Sequence, residues 1–573
     1  MHAAAQRRAD LATRFPVWES LTISGALDRA VATYAERPLV ITESGQWSYR
    51  NMADWSRRIA SGMIAIGLAP GDHVALDLAN YPEFVALKFA IARAGCVCIP
   101  CNFMLRGSEL RYVLEQSDAK MLVTMDRFRG HDYLADLVRP AALAHVVAFP
   151  TGEGAYSGSA NLTLAALEAA ATPASDAELL RRESVADPAG LSDIIYTSGT
   201  TGRSKGVMLT HDMVMRAAFS SAVTRAFEDG RRIQFALPMY HVFGYVECLI
   251  ATMFVGGAIL PQLVFDAAAM LDLAETAGAS EMVCVPMMTH KLIDLARTRG
   301  FDSSRFVCMF NSGGTNVPSV WDDIVAVLGA RETVTAYGMT ETTASTTCTL
   351  PEDGRERLLA SNGAPKLPSV AGDPALGGRV AVYRVINPVS GEEMPPGNEG
   401  ELVVRGPIVT KGYYRKPEET AAAFTSDGWL RTGDVGRLSP DGYLSLTGRI
   451  KESYRCNGEM VMPREIEELF DDHPHVAQAL VVGIPDPRVG EAGCLCIVPR
   501  DAVDADPAAL LALCREKLAR FKVPRHVVVL SPEEIPLTIT GRPQKFKLAT
   551  LAAQRVATKT ASAQETTLTG ETR

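Results

Sequence analysis

DIIYTSGTTGRSKGV, residues 193–207, is the stretch on which the reading of this chain turns. It opens with Ile194, Ile195 and Tyr196, apolar and β-favouring. It then passes into Thr197, Ser198, Gly199, Thr200, Thr201 and Gly202, all of them hydroxyls or glycines. Lys205, Gly206 and an apolar Val-Met-Leu follow, and Thr210 is placed to cap a helix over HDMVMRAAFSSAV. Glycines let backbone N–H groups turn toward an anion, hydroxyls add donors, and a lysine adds a point charge. The pattern predicts a phosphate cradle between a strand and a helix. It differs from the ordinary P-loop, which needs Gly-Lys-Ser/Thr in succession; here Arg203 and Ser204 separate Lys205 from Gly202. A tight turn alone would account for SGTTG but not for the lysine and glycine beyond it.

Outward from that stretch, the chain alternates helical and strand patterns from about residue 20 to 190, which predicts a layered, mostly parallel α/β sheet. From residue 376 the pattern changes to short strands, including GRVAVYRVIN, EGELVVRG and KGYYRKPEET, separated by turns such as MPPGNEG. The part beyond Glu452 reads as α+β, and the tail after about Val556 is polar and reads as disordered. At 573 residues the chain exceeds one ordinary core. The expected organisation is a large N-terminal layered α/β domain with a β-rich subdomain (1–451), a small mobile α+β C-terminal domain (452–555) and a tail (556–573).

Composition narrows the function. A formal charge of −9 argues against a nucleic-acid partner, which demands a basic face. The most apolar run, CLIATMFVGGAIL at 248–260, is too short and too broken by glycine to span a bilayer. No secretory leader pattern opens the chain, so the expected location is cytoplasmic. Eleven cysteines in so long a chain do not make a disulfide scaffold. Cys96, Cys98 and Cys101 lack a fourth metal ligand nearby, and their alternation suits a buried strand.

YTSGTTGRSKGV resembles the signature loop of the adenylate-forming superfamily, which includes acyl-CoA synthetases, beetle luciferases and nonribosomal adenylation domains; most members have proline at Ser204. The resemblance runs from about Ile23 to Leu551 and gathers further motifs. VTAYGMTETT (334–343) is similar to the family's Tyr-Gly-x-Thr-Glu. It implies that Tyr337, with Gly338, lies against adenine, that Thr340 bonds the α-phosphate and that Glu341 holds Mg²⁺. In NSGGT (311–315), Gly313 and Gly314 would let a flat ligand lie on bare backbone. Thr315 stands where many relatives have alanine. Tyr240, His241, Phe243 and Gly244, in QFALPMYHVFGYVE, would border the acyl substrate. Asp434, in LRTGDVG, would take the ribose hydroxyls, with Arg449 as a ribose or phosphate contact, and Glu452 would be the hinge.

Two positions depart from the family pattern. The usual Gly-Gly-Glu appears as Asn457, Gly458 and Glu459, which leaves the thiol acceptor open. The usual Thr-x-x-Gly-Lys reads TITGR, placing Arg542 at the catalytic lysine position. The resemblance implies ATP-dependent conversion of a small-molecule carboxylic acid to acyl-AMP, with Lys205, Thr340, Glu341 and Arg542 carrying the chemistry. Transfer to a thiol, coenzyme A above all, would follow. The pattern is closer to stand-alone ligases than to carrier-linked modules, since no carrier domain follows residue 551. A carrier-protein thiol, an amine acceptor, an unusual oxyacid, a homodimer, and a nucleotide-binding pseudoenzyme stay open.

Overall fold

The computed structural model describes residues 3–570 apart from 155–157, 198–203, 314–317, 457–458, 487, 501–505 and 539–542. Two seven-stranded sheets form the large domain. The first runs in the order Lys205–Thr210, Leu191–Thr197, Val97–Pro100, His73–Asp77, Ala119–Met125, His145–Phe149, Leu162–Thr163. It is parallel except for the hairpin of Leu191–Thr197 with Lys205–Thr210. The second runs Glu332–Val334, Cys308–Asn311, Glu281–Cys284, Arg232–Phe235, Ala258–Pro261, Pro38–Thr42, Gly45–Ser48, and is parallel except for the hairpin of Pro38–Thr42 with Gly45–Ser48.

Strand alternation explains how the first sheet is covered on both sides. Val74 and Leu76 point into one large hydrophobic cluster shared with Val40 and Ile259 of the second sheet. Ala75, with Ile99, Leu122 and Ile194, belongs to a separate cluster on the opposite face. Helix Pro82–Arg93 is buried at every position but Glu83, including Lys88 and Arg93, which accept burial because each meets a carboxylate. Cys98 lies in the buried Val97–Pro100 strand between Cys96 and Cys101, as its alternation predicts.

The β-rich part is an antiparallel meander of Val382–Ile386, Gly400–Arg405, Leu430–Leu438 and Leu444–Arg449. One expectation fails here: KGYYRKPEET is not a strand but leads into helix Pro417–Ala423, whose first position is the proline. The C-terminal domain is a five-stranded sheet with a cluster on each face. Helix Pro507–Lys517 covers one side through Leu510 and Cys514, and the last helix covers the other through Leu548 and Ala552. That last helix, Lys545–Gly570, carries on through residues that composition assigns to a disordered tail. A helix already nucleated by packed residues adds one hydrogen bond for each further residue fixed, so a polar, alanine- and threonine-rich extension follows it.

Candidate functional site

The described arms of the signature stretch form an antiparallel hairpin and not a strand leading straight into a helix. Tyr196 faces Gly206 and Thr197 faces Lys205 across antiparallel strands, and helix His211–Thr224 begins only after the second strand. Thr210 caps that helix as expected, accepting from the Met213 N–H at 3.2 Å. Gly206 is required by packing: a Cβ there would come 2.5 Å from Ile194 Cγ2 and 3.2 Å from the Tyr196 ring. Tyr112 donates its hydroxyl to the Ser204 carbonyl at 3.0 Å, fixing the returning arm. At the root, buried Asp193 pairs with buried Lys88 and accepts the Ser192 hydroxyl at 2.8 Å. Ser198, Gly199, Thr200, Thr201 and Gly202 lie outside the described residues, as do Gly314, Thr315 and Arg542.

Three elements bring the remaining nucleotide-side candidates together. Strand Ala336–Met339 carries Tyr337 and Gly338 and ends in a single 3-10 turn over Thr340–Thr342. Gly338 allows the strand to close on its neighbour, since a Cβ would lie 2.0 Å from the Ala344 carbonyl oxygen. Asp434 and Arg449 are direct partners across the antiparallel pair Leu430–Leu438 and Leu444–Arg449, so both side chains emerge on one face. Gly433, at φ +70, gives the turn-like backbone before Asp434, but inside a bulged strand and not in a free turn. The Asp434 carboxylate is 2% exposed; it takes the Tyr337 hydroxyl on Oδ2 at 2.5 Å and the Arg449 Nε–H on Oδ1 at 2.7 Å. Burial and the adjacent Asp434 charge hold the Tyr337 phenol well above its ordinary value, so it stays a donor.

Glu341 is buried at the second position of its turn. Burial raises its pKa, while its backbone hydrogen bonding, the Tyr413 hydroxyl and the charges of Lys205 and Arg449 pull the other way. The Tyr413 hydroxyl donates to Glu341 Oε1 at 3.0 Å, and Lys205 Nζ lies 4.1 Å from the centre of the same tyrosine ring. Lys451 belongs to this basin as well. Burial lowers its pKa first, and Lys205 and Arg449 lower it further. Sequence reading passed over Tyr413 and Lys451; a glycine-aromatic pair between basic residues, KGYYRK, was the available signal for the first.

The acid-side candidates form a second group. Tyr240 is buried and packs edge-on against Phe103, with ring centres 5.6 Å apart. His241 accepts the Phe243 N–H on Nδ1 at 3.2 Å, and desolvation lowers its pKa to about 4, so the ring is neutral. Phe243 meets Phe310 edge-on at 5.2 Å. Gly313, at φ +88, lies beside this group: a Cβ there would stand 3.2 Å from Val285 Cγ1 and 4.0 Å from Phe243 Cε1. Gly244 is compelled by the Pro238 carbonyl, 2.8 Å from where its Cβ would be. The Ser312 hydroxyl donates to the Ala336 carbonyl at 2.6 Å, joining this group to the strand of Tyr337. Asn80, in a region given no chemistry from sequence, holds the Tyr240 loop: it donates to the Leu237 and Gln262 carbonyls at 3.0 Å each and accepts from the Met239 N–H at 2.8 Å. Glu452 adjoins the nucleotide-side group through its N–H, which donates to the Arg449 carbonyl at 3.1 Å; Lys545 Nζ lies 3.7 Å from its carboxylate and closer still, at 2.7 Å, to Glu467.

A large α/β domain whose hairpin lysine, buried carboxylate and Asp–Arg pair lie near one another, followed by a small α+β domain, defines the adenylate-forming class of enzyme. The chain belongs to the AMP-binding enzyme family. The family profile matches residues 27–414, and the profile of the AMP-binding enzyme C-terminal domain matches residues 465–542. It is 32% identical over 537 residues to a methyl-dioxo-octahydroindenyl-propanoyl:CoA ligase of Mycobacterium tuberculosis, covering 92% of this chain and 99% of that one. It is 32% identical over 500 residues to a feruloyl-CoA synthase of Amycolatopsis, covering 86% and 92%. The crystal structure of ATP-bound MatB from Rhodopseudomonas palustris superposes with a TM-score of 0.80 at 27% identity, covering 93% of this chain and 99% of that one.

Proposed function

We propose that this chain is an AMP-forming acid–thiol ligase that adenylates an apolar carboxylic acid with ATP and passes the acyl group to coenzyme A. The observation that carries the reading is the meeting of Lys205, Glu341 and the Asp434–Arg449 pair around one basin, with the neutral aromatic group of Tyr240, His241 and Phe243 beside it. In the first step a carboxylate oxygen of the acid attacks the α-phosphorus of ATP and pyrophosphate leaves. Lys205 and the hydroxyl loop hold the phosphate charge, and Thr340 bonds the α-phosphate. Asp434 accepts the ribose hydroxyls on lone pairs left free by Tyr337 and Arg449, and Tyr337 and Gly338 border the base.

Glu341 suits Mg²⁺. Among the described residues no three His, Cys, Asp or Glu side chains stand together for a metal, so the chain offers a single carboxylate and not a cage. Mg²⁺ is held in this way in nucleotide sites, by one or two carboxylates with substrate phosphates and water. When bound it neutralises charge on the phosphate oxygens. The neutral His241 and its aromatic neighbours favour an acid with an apolar body. Swinging of the small domain about Glu452 would bring Arg542 to the reactants and then admit the thiol. We place the domain boundary there, at 451/452.

A reducing compartment, the cytoplasm, fits the eleven cysteines, all free thiols and all buried. No helix among the described residues is long and apolar enough to cross a membrane. The test is pyrophosphate release across a panel of aliphatic and aromatic acids, with and without coenzyme A. Acid-dependent release with thioester formation only when coenzyme A is present is expected. ATP binding with no turnover on any acid would instead mark a nucleotide-binding protein.

A further inference from the structure

Two site residues, Lys205 and Glu341, touch the same side chain, and no ion pair joins them to one another among the described residues. Tyr413 stands between them. Its ring face carries the Lys205 ammonium at 4.1 Å, and its hydroxyl donates a hydrogen bond to Glu341 Oε1 at 3.0 Å. The tyrosine is 7% exposed, and the surrounding backbone fixes it from several sides. Its own N–H donates to Thr420 Oγ1 at 2.9 Å. Gly412 before it, at φ +142, has no room for a Cβ, which would fall 2.4 Å from Thr420 Cγ2.

The segment from Ile408 to Tyr414 is sewn to both sides of the basin. Toward the lysine strand, Tyr413 bridges Val207, the Tyr414 N–H donates to the Gly206 carbonyl at 2.8 Å and the Met208 N–H to the Gly412 carbonyl at 3.2 Å. Toward the carboxylate turn, the Thr410 N–H donates to the Glu341 carbonyl at 2.7 Å, and the Thr343 hydroxyl to the Ile408 carbonyl at 2.6 Å. Thr343 itself is held at φ +64, a left-handed backbone that a β-branched residue rarely adopts. A conformation of that cost persists only where its surroundings over-determine it.

We propose that Tyr413 is a positioning residue that keeps Lys205 and Glu341 apart before ATP arrives. An ammonium and a buried carboxylate this near to one another would otherwise collapse into a direct ion pair, which the phosphates and metal would then have to break. The tyrosine gives each charge a neutral partner, a ring face for the cation and a hydroxyl for the anion. The roles of the two charges rest on the adenylation reading; the spacing does not, because it belongs to the ligand-free chain.

Two variants separate the two contacts. Tyr413→Phe keeps the ring and removes the hydroxyl; Tyr413→Leu removes both. Labelling of Lys205 by acetic anhydride, followed by mass spectrometry on the ligand-free protein, reads the lysine side without any substrate. Labelling in Tyr413→Phe is expected to match the parent, and in Tyr413→Leu to slow by about 3-fold or more as Lys205 pairs with Glu341. Adding Glu341→Gln to Tyr413→Leu should restore the parent rate. In pyrophosphate exchange, Tyr413→Phe should raise the half-saturating Mg²⁺ about 3- to 10-fold while kcat at saturating Mg²⁺ changes less. Equal labelling in all four proteins, or an unaltered Mg²⁺ requirement in Tyr413→Phe, would overturn the spacer role. If Tyr413→Leu does not fold, Tyr413→Phe alone still decides through the Mg²⁺ requirement. If no acid supports exchange, the ligase reading fails while the labelling series still tests the spacing.

Discussion

The group of residues we assign to the nucleotide and the group we assign to the acid are made from different materials. On the nucleotide side three described charges are met before a ligand arrives: Asp434 by Tyr337 and Arg449, Glu341 by the Tyr413 hydroxyl, Lys205 by the Tyr413 ring. On the acid side His241 is neutral and burial keeps the Tyr240 phenol protonated, and the described neighbours are edge-packed aromatics and closely packed glycines. A partner of fixed chemistry can be read by fixed charges with directional hydrogen bonds. A partner that differs among relatives is met by shape and by the absence of charge, and such a surface changes its preference with few substitutions.

The contrast can be broken at four places. Lys205→Ala should lower pyrophosphate exchange by about 10²-fold or more, the scale of losing a major electrostatic stabiliser, with little change in acid affinity. An unchanged exchange rate would falsify the hairpin lysine as a phosphate group. Asp434→Ala should weaken ATP binding by about 1.5–3 kcal/mol, measured by calorimetry, because charge-assisted hydrogen bonds go and Arg449 loses its partner; an equal loss in acid affinity would erase the division between the sides. His241→Phe should move the acid KM by about 1 kcal/mol equivalent and leave the ATP KM alone. Because its folded pKa lies near 4, the His241 ring is neutral from about pH 5 to 8, and the acid KM of the parent should show no histidine limb near 6.5. A limb there would mean an imidazolium in the acid pocket. Arg542→Lys carries the smallest expected change, a rise of about 2- to 3-fold in adenylation with the thiol step unaltered, since a slender ammonium fits between acid and phosphate better than a planar fork. A fall with the true substrate would show the arginine matched to its acid.

Much of this arrangement was legible in the residues. Strand–helix alternation foretold layered parallel sheets, and Tyr337 and Asp434, read from separate motifs as parts of one group, do meet in the fold. What escaped was pairing. Lys205 to Thr210 is an apolar run that reads equally as a helix lead-in or a strand, and only its ladder with Leu191–Thr197 decides. Asp434 and Arg449 are fifteen positions apart in the numbering, and nothing local makes them direct cross-strand partners. Tyr413 was hidden for the same reason: its contacts are with residues near 205 and 341, far off in sequence. Asn80 fell in a stretch of plain scaffold, and its use emerges only when the Leu237–Tyr240 loop comes down on it.

The buried thiols have a practical consequence. Cys284 and Cys308 sit on adjacent strands of one large sheet, while Cys494, Cys496 and Cys514 lie in the core of the small domain, all nearly inaccessible. Burial holds Cys284 at about 12 and Cys514 at about 11, so neither is a ready nucleophile while its surroundings stay closed. Alkylation therefore waits for opening, and each peptide's rate of mass gain becomes a clock for the region that contains it. Two sets of clocks, one per domain, would show whether the lid melts on its own or keeps time with the rest.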